Sequence, residues 1–217
     1  MGFKRIAALA ASTLALAGTA AANVVVNGTF DDTSGWQGTF IAQDTGGGVP
    51  EITTGTYYYG GSTSTNSIFQ VYDLTPDELA QLATGGLEYT MSADLFGFDA
   101  QADRVFFEAL FVNAGAVIIG SATLSSDTNR PAVWSDTLVA GEAPNFQELI
   151  GLLPAGTASV FLRITSERVS GTSNDGYLDN AFFALAAADA SAVPLPAAAW
   201  LFLAGAGALC AARRRAG

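Results

Sequence analysis

Alternating strand patterns dominate the sequence between residues 23 and 185 and constrain its fold. In segment 158–165, Val160, Leu162 and Ile164 share one face, as in a half-buried strand. The predicted strands cover residues 36–42, 57–59, 67–74, 87–98, 104–113, 116–124, 132–139, 158–165 and 177–185. Roughly eight to ten strands, joined by turns rich in Gly, Ser, Thr and Asn, predict an all-β jelly-roll β-sandwich.

One short helix is predicted inside this β pattern. Thr75 is an N-cap residue, Pro76 occupies the first helical position and Glu78 completes a capping box. Gly85 and Gly86 end the helix after about two turns.

The N-terminal segment, residues 1–22, has the three parts of a secretory signal peptide. Lys4 and Arg5 precede an apolar stretch over residues 6–18, and small residues follow up to Ala22. We expect cleavage before Asn23, and therefore export of the chain.

The C-terminal segment, residues 193–217, combines a proline-containing motif, an apolar run over residues 197–212 and a basic end. The run covers about 24 Å as a helix, a little short of the thickness of a bilayer core. It lacks the polar face that a buried core helix would need, so we expect a transmembrane helix with a cytoplasmic C-terminus. The motif is Val193, Pro194, Leu195, Pro196 and Ala197, and the basic end is Arg213, Arg214 and Arg215.

This order of motif, apolar helix and arginine cluster resembles the PEP-CTERM family of bacterial sorting signals, in its VPLPA-CTERM variant. The resemblance implies that an exosortase removes the tail near the motif. The chain would then be held briefly in the inner membrane before it reaches the cell surface or the extracellular matrix. Residues 186–192 are expected to form a small-residue linker between the tail and the domain of residues 23–185.

The expected exported part is strongly acidic. All twenty Asp and Glu lie within residues 23–192 against four Arg, which gives 4 − 20 = −16. This charge argues against nucleic acid as a partner. The single cysteine, Cys210, lies in the tail, so we expect no disulfide in the domain.

A second resemblance spans most of the domain. The opening Asn-Gly-Thr-Phe-Asp at residues 27–31, the later Gly-Trp at residues 35–36 and the closing Asp-Gly-Tyr-Leu-Asp-Asn at residues 175–180 are similar to galactose-binding-like jelly rolls, many of which are carbohydrate-binding modules. The resemblance implies a structural calcium ion held by Asp31 or Asp32 together with Asp179, where the first and last strands meet. The alternative is that Asp179 hydrogen-bonds a neighbouring loop.

Sugar binding would need exposed aromatic rings beside polar groups. The candidates are Tyr57, Tyr58, Tyr59 and Trp134, because a run of three tyrosines on a strand places at least one ring on the outer face. The alternative is that these rings belong to the core.

Enzymatic activity is not expected. The sequence has no histidine, which rules out Ser-His-Asp and Cys-His arrangements. We therefore expect a non-enzymatic exported protein that binds or associates with exopolysaccharide. The alternatives are a structural matrix protein without a specific ligand and, more remotely, a glycoside-active enzyme with a carboxylate pair.

Overall fold

The computed structural model describes residues 21–39, 42–44, 55–98, 101–126 and 145–188. Residues 1–20 and 189–217 lie outside this part, and so does the strand predicted over residues 132–139. The two terminal segments carry most of the predicted signal peptide and the whole sorting motif with its apolar run and arginines. Within the described residues, no helix is long and apolar enough to cross a membrane.

Ten strands and one helix make up the described part of the chain. In chain order they are β1 (Gln37–Gly38), β2 (Ala42–Asp44), β3 (Thr56–Tyr58), β4 (Thr65–Asp73), α1 (Pro76–Thr84), β5 (Leu87–Phe96), β6 (Arg104–Asn113), β7 (Ile118–Ser125), β8 (Phe146–Leu152), β9 (Thr157–Glu167) and β10 (Tyr177–Ala187). They form two five-stranded antiparallel sheets. The front sheet has the order β1-β4-β9-β6-β7 and the back sheet the order β2-β3-β10-β5-β8. The predicted all-β sandwich is confirmed.

The core fills the space between the two sheets. Alternation along the strands turns every second side chain inward, as Met91 on β5, Phe107 on β6 and Leu162 on β9 show, all fully buried. Each such side chain stabilises the fold by about 1.5–3 kcal/mol relative to an exposed position.

Most predicted elements lie where the sequence indicated. The capping box of α1 is present, because the Thr75 hydroxyl accepts from the Glu78 N–H and the Glu78 carboxylate accepts from the Thr75 N–H. The single strand predicted over residues 36–42 is instead two short strands, one in each sheet. Strand β8 was not predicted, and β10 extends two residues into the predicted linker.

The N-terminal segment lies against the last strand. The Val24 N–H donates to the Phe183 carbonyl at 2.8 Å, and the Ala181 N–H donates to the Gly28 carbonyl at 2.9 Å. Gly28 has no room for a side chain, because a Cβ would lie 2.1 Å from the Ala181 oxygen. The two ends of the domain therefore meet, as the resemblance to galactose-binding-like jelly rolls implied.

Candidate functional site

The outer face of the front sheet carries a mixed aromatic and charged surface. Strands β4, β9 and β6 alternate regularly, so their inward residues are buried and their outward residues are exposed or half-buried. Six outward residues line an open groove of about 320 Å³, which we call the front groove: Ser67, Phe106, Glu108, Arg163, Thr165 and Glu167.

An ion pair lies at the centre of the front groove. Arg163 on β9 is directly opposite Glu108 on β6. The Arg163 Nε donates to the Glu108 Oε2 at 2.8 Å, with the two side chains 40% and 20% exposed. The remaining guanidinium N–H groups and the second carboxylate oxygen are the donors and acceptors that a polar ligand would use.

Two phenylalanines stack beside this ion pair. Phe69 on β4 lies opposite Arg163. Its ring and that of Phe161 are 4.8 Å apart between centroids, with planes inclined by 21°. Both rings are half-buried. They form an apolar surface next to the charged groups.

Hydroxyl groups complete one end of the groove. Ser67 and Thr165 share a hydrogen bond of 2.9 Å, and Thr165 lies opposite Phe106. Aromatic surface, hydroxyls and a carboxylate–guanidinium pair are thus adjacent on a rigid sheet, which suits a neutral ligand with many hydroxyl groups.

Sequence reasoning missed this site. The signal was present in β9, where Phe161, Arg163 and Thr165 occupy the polar face of the strongest alternating pattern. An arginine flanked at ±2 by an aromatic residue and a hydroxyl residue indicates a candidate ligand-binding surface.

The tyrosines predicted to bind sugar lie elsewhere. Tyr58 points into the sandwich, where its ring packs 6.1 Å from that of Phe30, and burial raises the pKa of its hydroxyl. Tyr57 points to the outer side of the back sheet but is fully buried against Phe96 and Tyr177. The alternation argument required at least one of the three rings to lie on the outer face, without saying which. Because the rings of Tyr57 and Tyr58 are both covered, neither can stack on a ligand in this structure.

Tyr59 and Trp134 complete the predicted aromatic set. Tyr59 is half-buried, with its ring 5.7 Å from that of Tyr177. Trp134 lies outside the described residues.

The three predicted calcium ligands differ in burial. Asp31 and Asp32 lie on an exposed turn, where Asp31 accepts from the Thr29 hydroxyl at 2.7 Å. Hydrogen bonds from Ser34 hold the pKa of Asp32 below its usual value. Asp179 is buried on β10 and accepts from the Asn180 N–H at 2.7 Å.

Among the described residues, no three His, Cys, Asp or Glu side chains come together in a group that could hold a metal. A calcium ion held by Asp179 and Asp31 or Asp32 would therefore depend on backbone carbonyls and amide oxygens for its other ligands. Calcium binding stays a prediction.

The loop that follows β9 is anchored by a buried aspartate. Asp103 accepts from the N–H groups of Val169, Ser170 and Asp175 at 2.7–2.9 Å. Burial raises the pKa of Asp175, whose carboxylate accepts from the Tyr177 hydroxyl at 2.6 Å. This network fixes the turn between β9 and β10 at one end of the front sheet.

No family model and no curated protein match this sequence. Among solved structures, the chain is similar to the enzymatically active domain of tailspike protein 4 from bacteriophage CBA120. The identity is 13% and the TM-score 0.47, over 76% of this chain and 21% of that one. The chain thus spans about one fifth of the length of the tailspike structure.

Two further similar structures are carbohydrate-binding modules. One is TmCBM61 in complex with β-1,4-galactotriose, with 9% identity, a TM-score of 0.43 and 76% and 99% of the two chains covered. The other is a family 16 carbohydrate-binding module-2, with 16% identity, a TM-score of 0.45 and 74% and 99% covered.

Proposed function

We propose that this chain is a non-enzymatic carbohydrate-binding protein that holds a polysaccharide in the front groove. The observation that carries the proposal is the Arg163–Glu108 pair, which lies between the stacked rings of Phe69 and Phe161 and the ring of Phe106. The apolar face of a pyranose packs on aromatic surface, while its hydroxyls need paired donors and acceptors.

An open groove on the face of a sheet suits an extended chain better than a single enclosed sugar. The groove is open, and outward Ser121 and Thr123 on β7 continue a hydroxyl-rich surface beyond β6. A polysaccharide lying across the strands could contact several of these rows. Each row offers a different mixture of aromatic, charged and hydroxyl groups.

The spacing of the carboxylates in the groove supports binding rather than hydrolysis. Glu108 lies opposite Arg163, and Glu167 lies opposite Arg104, four residues farther along β9. Their Cα atoms are therefore about 14 Å apart on a regular sheet. Glycoside hydrolases place their two carboxyl groups about 5–9.5 Å apart. Glu108 and Glu167 would reach this range only if both side chains extended towards each other, whereas the Glu108 carboxylate is held by Arg163 across the strands.

The sequence motifs at the chain ends support a role outside the cell. The predicted signal peptide and the VPLPA-type tail favour export, sorting by an exosortase and a place at the cell surface or in the exopolysaccharide matrix. The acidic composition suits a protein that stays soluble there.

The test is affinity electrophoresis of the full-length protein in gels that contain single neutral or acidic polysaccharides. We expect retardation by at least one polysaccharide, and its loss in Phe69→Ala and Arg163→Met. Val26→Thr, an uncharged change at an exposed position outside the groove, is the control and should be retarded like the wild type. Equal mobility in every gel would overturn the proposal and favour a structural matrix protein.

A further inference from the structure

Strand β8 forms one edge of the back sheet, and within the described residues no strand lies beyond it. Its apolar side chains are unusually accessible: Leu149 is 36% exposed, Ile150 53% and Leu152 67%. Soluble proteins protect such edges with lysine, proline or inward-pointing charges. Strand β8 has no lysine or proline, and its one charged residue is the exposed Glu148.

The hydrogen-bond pattern shows which backbone groups of β8 point away from the sheet. The Leu95 N–H donates to the Asn145 carbonyl, and the Leu153 N–H donates to the Leu87 carbonyl. Odd-numbered residues therefore face β5. Because an antiparallel strand alternates, the N–H and C=O groups of residues 146, 148, 150 and 152 point outward.

We propose that β8 pairs antiparallel with β8 of a second copy of this chain, about a two-fold axis at Leu149. In this register Glu148 lies opposite Ile150 of the second copy, and Phe146 opposite Leu152. Every outward N–H and C=O of both strands then finds a partner. Two strands related in this way form an isologous interface, the commonest kind in homodimers.

Charge selects this register over its neighbour. The chain is strongly acidic, with a net charge of −11 over all residues, so a self-association surface must keep carboxylates apart. A register centred on Glu148 would place two glutamates directly opposite each other, which is destabilising. The register centred on Leu149 places each glutamate beside isoleucine and pairs the remaining apolar side chains with one another.

The adjacent edge of the front sheet adds apolar surface to the same side of the molecule. Val117 and Ile118 at the start of β7 are 56% and 57% exposed. Near the first residues of β8, the Gln147 amide group donates to the Ser125 carbonyl and accepts from the Ser125 N–H. These two hydrogen bonds join the edges of the two sheets there. Among the described residues, the part of this edge that is left open is therefore the apolar part.

The symmetry has a consequence for binding that rests on the proposed function. A two-fold axis that relates antiparallel neighbours in one sheet is perpendicular to that sheet. Both front sheets would then lie on the same side of the joined back sheet, and both front grooves would face the same direction. One polysaccharide surface could occupy both grooves, and the second binding step would be intramolecular.

Sedimentation of the full-length protein and of two variants, one acidic and one basic at the same position, tests the register. The wild type should sediment as a dimer, and Ile150→Glu, which faces Glu148 of the second copy, should sediment as a monomer. Ile150→Lys places an ammonium group opposite the same glutamate and should remain dimeric. Val26→Glu, at an equally exposed position away from β8, is the control and should not change the mass. A monomeric wild type, or equal disruption by both charges, would overturn the proposal.

Cross-linking gives a second readout that does not depend on affinity. In a Cys210→Ser background, Leu149→Cys should form an intermolecular disulfide on mild oxidation, because residues that face each other on the axis have neighbouring Cβ atoms. Val26→Cys should not. This test needs no sugar. If the protein cross-linked but bound none of the polysaccharides, the proposed function alone would be refuted. Absence of the cross-link in the Leu149→Cys variant would refute the dimer alone.

Discussion

Arg163 and Glu108 lie directly opposite each other on the neighbouring strands β9 and β6, joined by a hydrogen bond of 2.8 Å on the outer face of the front sheet. The inward neighbours of Arg163 on the same strand, Leu162 and Ile164, are fully buried. The core thus fixes the backbone beneath a charged pair that remains open to solvent. A partly exposed pair of this kind adds little to stability.

The first prediction separates binding from folding at this pair. Arg163→Met and Glu108→Gln should each change the free energy of unfolding by less than about 1 kcal/mol, because the pair is solvent-screened. Each should weaken polysaccharide binding by about 10-fold or more, since hydrogen bonds to charged groups are worth about 1.5–3 kcal/mol. Urea unfolding and isothermal titration calorimetry measure the two effects. A variant that lost stability but kept its affinity would assign the pair a structural role.

The second prediction concerns the stacked phenylalanines. Phe161→Ala should abolish measurable retardation by a polysaccharide that retards the wild type, because it removes half of the stacked aromatic surface. Phe161→Tyr keeps the ring and should retain binding. If the alanine and tyrosine variants bound equally well, the aromatic stack would have no part in recognition.

The sequence predicted the elements whose patterns are local. The capping box around Thr75 and Glu78 and the alternation of β9 are set by neighbouring residues, and both are present in the structure. Strand β8 was missed because its inward positions include Gln147 and Gly151, so it lacks the apolar inward face of a half-buried strand. The strand conformation of β8 therefore depends on its antiparallel pairing with β5 and not on its own sequence pattern.

The site was harder to predict because it depends on pairing between distant strands. Residues Ser67, Glu108 and Arg163 come together only through the order β4-β9-β6, which no local pattern shows. The tyrosine run had the opposite problem. Alternation requires one of its rings to face outward, but the packing that covers Tyr57, against Phe96 and Tyr177, depends on strands β5 and β10.

The third prediction tests calcium. If Asp179 and Asp31 or Asp32 hold an ion, chelation should lower the melting temperature of the full-length protein. Calcium at 100 times its dissociation constant would add about 2.7 kcal/mol. Asp179→Asn should remove the difference between the calcium and chelator curves, whereas Asp73→Asn on β4 should keep it. Identical melting curves for the wild type with calcium and with chelator would remove the site.

The fourth prediction uses the raised pKa of Asp175, which arises from burial and from the nearby Asp103 carboxylate. A carboxyl group whose pKa is raised by folding binds its proton more tightly in the folded state. Its contribution to stability is therefore complete below pH of about 4 and is lost as the pH rises through the folded pKa. Asp175→Asn removes this titration and keeps an oxygen that can accept from Tyr177. The variant should gain stability relative to the wild type as the pH rises above about 4.

Asp32 provides a control of opposite sign for this experiment. Hydrogen bonds from Ser34 lower its pKa, so its contribution is present at neutral pH and is lost as the pH falls through the folded pKa. Asp32→Asn should therefore be less stable than the wild type at neutral pH, with the difference disappearing in acid. Urea unfolding of both variants across a pH series measures the two slopes. Slopes of the same sign, or differences that do not vary with pH, would show that the Asp175 carboxyl group does not carry the raised pKa assigned to it.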